Sequence, residues 1–434
     1  MTELQSTSSD SDLEPKHALR TGPLSEASLL GTVASESSGL AAPEIAAPQA
    51  GVYQALIGLL AGYAVLTVGN GLFGTLIPLR MLHAGFSTLM VGLVQSSYFG
   101  GFILGAMFNR GLIERIGQHR AFVAFSATAA ILALAFATFD SPLVLAAVRL
   151  CSGFAFIGLY TAVESWLNGA VPNAMRGRVF GSYLTINYLA VGMGQFLLTA
   201  GDAGGEYQLL IVAALFAGAV LPVTLLEGWP TRVADDRLVR PRSHTWRESV
   251  REMSKRTPLA VPGCVLSGFL YSSFYSMTPV FLTRIGFSVG DLSFFMGITL
   301  IGALIPQWPM GKLSDRVDRR LLVQRIAMAC TLFSATLVFI HQHWVVGLVT
   351  FLYAALTFTH YGLIVSHVND RTEPERSVAT SATLLILFSI GGMTGPAIAS
   401  LMMTALGPSG LFVFDCATSA TLAYVALRAL RMGQ

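Results

Sequence analysis

From Tyr53 onward the chain is a succession of apolar runs, each some twenty residues long, separated by short polar breaks. The runs cover roughly 53–77, 88–108, 121–139, 142–167, 179–200 and 208–227. After a longer polar segment they resume at 258–282, 291–310, 321–340, 344–367, 378–403 and 409–428. About 20 apolar residues in a helix cross the hydrocarbon core of a bilayer, so the pattern predicts twelve membrane-crossing helices. Strands of a membrane barrel would be about ten residues long and would alternate polar with apolar positions; these runs do not. Gly100, Gly101, Gly192, Gly194, Pro306, Pro309 and Pro396 interrupt them. Such residues weaken helices in water but are tolerated where packed membrane helices re-satisfy the freed backbone groups. The predicted fold class is an all-α polytopic membrane protein.

Composition agrees: 53% of residues are hydrophobic and 12% charged, about half the charge of a soluble domain. Mean hydropathy is +0.63. The four cysteines (Cys151, Cys264, Cys330, Cys416) lie singly inside apolar runs, which suggests neither a disulfide framework nor a metal site. Residues 1–50 carry seven acids against Lys16 and Arg20. They lack the basic start and apolar core of a signal peptide and read as a disordered cytoplasmic tail.

Charge changes the picture through its placement. With the N-terminus in the cytoplasm, 23 of the 27 Lys and Arg residues fall in cytoplasmic segments, and only Arg80 and Arg284 fall in periplasmic loops. Arginine and lysine bias fixes orientation, so both termini are expected to be cytoplasmic. The central segment, 228–257, has eight basic residues. Its Trp246–Arg256 part reads either as a basic amphipathic helix on the inner leaflet or as a solvated linker.

The chain also repeats. At an offset of 201 residues, Pro78 falls on Pro279, Gly85-Phe86-Ser87 on Gly286-Phe287-Ser288, and Glu114-Arg115 on Asp315-Arg316. Ser165 and Asn168 fall on Ser366 and Asn369; after a one-residue slip, Gly192-Met193 falls on Gly392-Met393. Two units of six spans each enter the membrane from the same side, so they are parallel repeats about an axis along the membrane normal. The expected organisation is a bundle at 51–227, a central loop at 228–257 and a second bundle at 258–430.

The loop Gly311-Lys312-Leu313-Ser314-Asp315-Arg316-Val317-Asp318-Arg319-Arg320 carries a family signature. Gly311, Leu313, Asp315, Arg316, Arg319 and Arg320 match the Gly-x-Leu-x-Asp-Arg-x-Gly-Arg-Arg loop of the major facilitator superfamily, which the chain resembles in its parallel six-plus-six plan. Asp318 stands where glycine is usual. In the first repeat Glu114, Arg115, Gly117 and Arg120 fit, with Arg110 at the glycine position. Arg149 with Gly153 looks like that family's fourth-helix motif, often tied to proton coupling. Gly391, Gly395 and Pro396 look like half of a helix-packing motif best known from antiporters. Glu164-Ser165-Trp166-Leu167-Asn168, followed by Arg176-Gly177-Arg178, resembles the YcaD-like branch.

The resemblance implies a secondary active transporter of a bacterial inner membrane, working by alternating access, proton-coupled, and functional as a monomer. An uncoupled facilitator and a transport-inactive receptor or scaffold remain alternatives. No phosphate-binding Gly-x-x-x-x-Gly-Lys-Ser/Thr stretch occurs. No nucleophile–base or metal-spaced set appears either, so the reading is not an enzyme and calls for no cofactor and no nucleic-acid partner.

Arg149 lies seven residues after Pro142, roughly 10 Å into the membrane. Either it snorkels back to the interface or it faces a cavity, where it would hold an anion or a carboxylate. Glu164 lies near the cytoplasmic end of the same span and reads as a gate partner for Arg176 and Arg178, or as a proton site. Asp315, Arg316 and Arg319 read as a cytoplasmic latch. His360 is a cavity candidate, His367 a solvated residue at a span end, and Asp415 a packed acid rather than a transport site. Asn70, Gln95, Tyr98, Asn187, Gln195, Tyr271, Tyr275 and Gln307 are polar groups within spans, which usually face the bundle interior. A cavity so lined suits a neutral, amphipathic or singly anionic solute.

Overall fold

The computed structural model describes residues 50–171, 173–201, 205–225, 246–373 and 376–432. The acidic tail, apart from its last residue, and the 228–245 part of the central segment lie outside them. The helices in chain order are α1 (Ala50–His83), α2 (Thr88–Ile116), α3 (Gln118–Thr138), α4 (Pro142–Ala170), α5 (Asn173–Phe196), α6 (Glu206–Gly218), α7 (Val220–Leu225) and α8 (Trp246–Arg256). They continue with α9 (Ala260–Arg284), α10 (Val289–Gly302), α11 (Gln307–Ser314), α12 (Arg319–Phe339), α13 (His343–Thr357), α14 (His360–Asn369), α15 (Ser377–Leu406) and α16 (Gly410–Arg431). No strand occurs among the described residues.

Eleven helical stretches among the described residues are long and apolar enough to cross a membrane. Three are broken within the span, at α6–α7, α10–α11 and α13–α14. The α10–α11 break ends on Pro306, which has no amide hydrogen to continue the ladder. The twelfth expected span is α5, 24 residues long. Thr185, Asn187, Tyr188 and Gln195 make it more polar than its neighbours. It is helical all the same, because it packs between α1 and α10; Asn187 and Gln195 find partners on α1, Tyr188 on α11, and Thr185 bonds within α5.

Packing follows the repeat. α1 lies on α5 and α6 as α9 lies on α15 and α16, and α3 lies on α6 as α12 lies on α16. Close approach depends on glycine. A Cβ at Gly194 would strike the Val68 carbonyl oxygen, and one at Gly395 would stand 3.0 Å from the Phe269 carbonyl oxygen. Both pairs of positions are 201 apart, so the fifth and eleventh spans keep register without the one-residue slip that the sequence suggested. A Cβ at Gly153 would collide with the Tyr98 carbonyl of α2, and one at Gly391 with the Val265 carbonyl of α9.

The two repeats exchange partners reciprocally: α2 lies against α15, α10 against α5, and α1 against α9. Two parallel units about a two-fold along the membrane normal give this arrangement. The contacts gather toward the Gly85-Phe86-Ser87 and Gly286-Phe287-Ser288 turns. There Gly92 meets Ser400 and Pro396, Phe99 meets Gly392, and Phe196 meets Gly297. Ser293 Oγ donates to the Gln195 carbonyl at 2.7 Å. Toward the basic end, α2 continues past these contacts with Met107, on its α15-facing side, exposed. The repeats are thus joined at one end and parted at the other.

Helix α8 docks by its Met253 and by ion pairs. Arg376 bonds Glu252 at 2.6 Å, and Arg256 reaches both Glu252 at 2.9 Å and Glu373 at 3.5 Å. Of the two sequence readings for this segment, the helix forms, and it rests on the α14–α15 connection.

Candidate functional site

Polar and aromatic side chains of both repeats converge midway along the helices. On the first repeat, Tyr63 OH donates to Asn187 Oδ1 at 2.7 Å, joining α1 to α5. Asn70 Nδ2 donates to Tyr160 OH at 3.1 Å, joining α1 to α4. The Tyr63 ring lies 4.7 Å from that of Tyr183 and 6.3 Å from that of Tyr160. On the second repeat, the Tyr271 and Tyr275 rings are 4.7 Å apart, and Tyr275 stacks on Phe358. Phe388 of α15 contacts both Tyr271 and Tyr361. The repeats meet here: Gln307 Nε2 donates to Tyr188 OH at 3.2 Å, and Tyr271 lies within electrostatic reach of Tyr63, Tyr98, Tyr160 and Tyr188. Tyr271 and Tyr275 sit four residues apart and so share one face of α9.

Arg149 takes neither of its expected positions outright. It is buried, 5% exposed, so it does not snorkel to the interface. Its guanidinium lies over the Tyr98 ring at 4.4 Å and over the Phe73 ring at 5.6 Å. Such contacts hold a desolvated cation by about 2 kcal/mol. Among the described residues no carboxylate pairs with it, and its buried Nε has no hydrogen-bond partner. Tyr98 in turn packs on Phe102 and Phe156.

Glu164 also differs from expectation. Its carboxylate accepts from Tyr183 OH at 3.2 Å and makes no ion pair among the described residues. Arg178 is exposed, and the side chain of Arg176 lies outside the described set. Among the described residues the partner of Glu164 is thus a tyrosine. His360 is fully buried, its Nδ1 against the Thr357 carbonyl at 3.0 Å. His367, expected to be solvated, is buried, with Arg371 Nη1 3.0 Å from its Nδ1. Gln95 reaches the Gly74 carbonyl at 3.5 Å, and Gln195 the Gly71 carbonyl at 2.7 Å. Both side chains thus reach the backbone of α1.

At the basic end, Arg319 pairs with Asp370 at 2.7 Å and with Asp315 at 3.4 Å. Arg320 is buried, pairing with Asp318 at 2.8 Å and donating to the Ala429 carbonyl at 3.0 Å. The Arg320 hydrogen bond holds the Asp318 carboxyl below the ordinary carboxylate range. In the first repeat, among the described residues, Glu114 pairs with Arg110 alone, at 2.9 Å, and Arg115 is exposed; Gly117 turns the chain with φ +84°. Gly311 and Arg316 are exposed. Among the described residues, every ion pair of these loops stays within its own repeat.

Sequence reasoning passed over the Tyr63–Asn187 link and Tyr160, Tyr183, Tyr188 and Tyr361. Their signal was present, since all are polar or amphipathic groups inside apolar runs.

The family model described as Major Facilitator Superfamily matches residues 59–383. The MFS-type transporter YcaD of Escherichia fergusonii is 27% identical over 373 residues, covering 86% of this chain and 95% of its own length. YcaD of Salmonella newport is 26% identical over 361 residues, covering 83% and 92%. Among solved structures, the nucleoside transporter NupG superposes with TM-score 0.72 at 16% identity, over 88% of this chain and 99% of that one. A bacterial homolog of the human lysosomal transporter Spinster, in an inward-facing and occupied conformation, gives 0.66 at 16% identity, over 87% and 96%.

Proposed function

The chain belongs to the Major Facilitator Superfamily and is a multi-pass membrane transporter; from that premise we propose a proton-coupled secondary transporter of a small planar solute. It works by alternating access in a bacterial inner membrane, as a monomer with both termini cytoplasmic. The observation that carries this reading is the tyrosine-lined meeting of the two repeats, joined at one end and parted at the other. In this reading the basic end is cytoplasmic, so the parted end faces inward. Residues 51–227 and 258–430 act as the two moving bundles.

The site suggests its solute. Tyr63, Tyr160, Tyr271 and Tyr275 present ring faces and hydroxyls, which stack on a planar group and exchange hydrogen bonds with it. Asn70, Asn187 and Gln307 add donors and acceptors. Arg149, buried and without a carboxylate, is the one cation among the described residues placed to attract a single negative charge, through Tyr98 or directly once that ring moves. The solute is therefore neutral or singly anionic. Glu164, held by Tyr183, is a proton-site candidate at the open side. The Asp315–Arg316 loop is a latch that engages when the basic ends close.

The test is a thermal-shift panel of planar neutral and monoanionic solutes on purified protein at two pH values. A solute that binds the folded state raises its apparent stability by mass action. The reading expects a hit that is lost in Tyr271→Ala, and uptake of that solute into proteoliposomes driven by an inward proton gradient. Uptake that ignores the gradient would favour the uncoupled facilitator.

A further inference from the structure

Behind the tyrosine face of α9 lies a carboxylic acid that the site does not use. Asp415, six positions into α16, is 1% exposed. Ser273 Oγ donates to its Oδ1 at 2.7 Å. The Tyr353 hydroxyl of α13 faces the same group, but not in the alignment of a well-formed hydrogen bond with Asp415 Oδ2. Cys330 of α12 is the other titratable side chain nearby, with Cys416 next in sequence.

Among the described residues, no cation approaches from any helix packed on this acid. α15 contains no charged residue, and α13 only His343 at its start. The one charge on α9 is Arg284, its last residue; those of α12, at Arg319, Arg320 and Arg325, lie in its first two turns. Arg428 and Arg431 of α16 lie at the opposite end of the helix from Asp415. Burying an unpaired charge is expensive, so such a group keeps its proton or changes its surroundings. Packing does not demand an acid here. The repeat partner of Ser273 is Leu72, fully buried, and α6 has no acid after Glu206.

We infer that Asp415 is a proton-carrying group of transport, read out through α9. Ser273 lies two residues from both Tyr271 and Tyr275, about 200° around the helix at 100° per residue, and so on the opposite face. A solute held by the two tyrosines acts on the helix whose back face holds the carboxyl. When α9 shifts so that Tyr353 closes its bond, the acid O–H bond breaks. The proton leaves to solvent, and the charge remains on a carboxylate that accepts from two hydroxyls. Closing the same bond biases α9, so proton and solute influence each other reciprocally. This inference rests on the proton-coupled reading above.

The test uses purified full-length protein and no solute. Infrared difference spectra across a pH titration are expected to show a buried carboxylic C=O band. The band is lost in Asp415→Asn, retained in Glu164→Gln, and moved in frequency and in pH of loss in Ser273→Ala, which keeps the carboxyl. In a background free of native cysteines, maleimide labelling of a cysteine at Met107, on the open face of α2, is expected to depend on pH in wild type and to become flat in Asp415→Asn. Persistent pH dependence in Asp415→Asn, or a band unchanged by Asp415→Asn and Ser273→Ala, overturns the assignment of Asp415 alone. Labelling in wild type that ignores pH overturns the proton-coupled reading as well.

Discussion

The end at which the repeats are joined depends on glycine, and that makes it breakable by one methyl-bearing side chain. In the joined state a Cβ at Gly92 would stand 2.6 Å from the Pro396 carbonyl oxygen and nearer still to the Ser400 side chain. The carbonyl belongs to helix backbone and has little room to retreat. Overpacking of this kind costs about 1–3 kcal/mol. In a state where α2 and α15 have separated at that end, the same side chain meets nothing. Gly92→Val therefore penalises only the observed state and shifts the equilibrium by about 5- to 150-fold toward the opposite one. Two reporters read the shift in a cysteine-free background: Met107→Cys on the exposed basic-end face, 62% exposed, and Ser293→Cys in the joined end, 2% exposed. Gly92→Val should slow maleimide labelling at the first and hasten it at the second. Gly181→Val, where a Cβ meets no atom within 4 Å, should change neither. Unchanged labelling at both reporters, in Gly92→Val protein that keeps its thermal stability, would refute the two-state reasoning.

Three further outcomes are expected. Arg149→Gln should abolish proton-driven uptake of the panel hit without lowering membrane insertion, and Arg149→Lys should restore it only partly, because lysine lacks the planar guanidinium that lies over Tyr98; wild-type uptake by the Gln variant would sink this role. Cysteines at Gly85 and Gly286 should label from the periplasm and a cysteine at Lys312 only from the cytoplasm, as the distribution of arginine and lysine requires; periplasmic labelling at Lys312 would reverse the orientation. Arg320→Ala should destabilise the protein by about 1–3 kcal/mol, since it strips bonds from the Asp318 carboxylate and the Ala429 carbonyl. The Asp318 share of that loss should be present above about pH 4 and fade as the pH falls through the lowered carboxyl range, because protonation removes the same interaction in wild type; denaturation midpoints of the two proteins that stay equally far apart at low pH would contradict it.

Membrane class, span pattern and two-fold repeat were all legible along the chain. These follow from quantities a chain carries along its length: the apolar run needed to cross lipid, and matched residues at a constant offset of 201. Even the one slip inferred from Gly192 came from pairing letters rather than contacts; Gly194 and Gly395 keep the register because each lets a helix approach a neighbouring backbone. What surrounds each polar residue was decided only in three dimensions. A membrane helix touches several neighbours, and its period names a face without naming the helix opposite. Glu164 could not be matched to Tyr183 from its position near a span end. His367 read as solvated because the packing of α12 on α14, the helix that carries it, is a long-range event. Arg149 was legible as a costly buried cation, but the rings of Tyr98 and Phe73 come from two other helices. Asp415 shows the division most clearly. Its chemistry is written in one letter, while its isolation from every cation among the described residues, and its place behind the face that carries Tyr271 and Tyr275, exist only once α9, α12, α13 and α16 have packed.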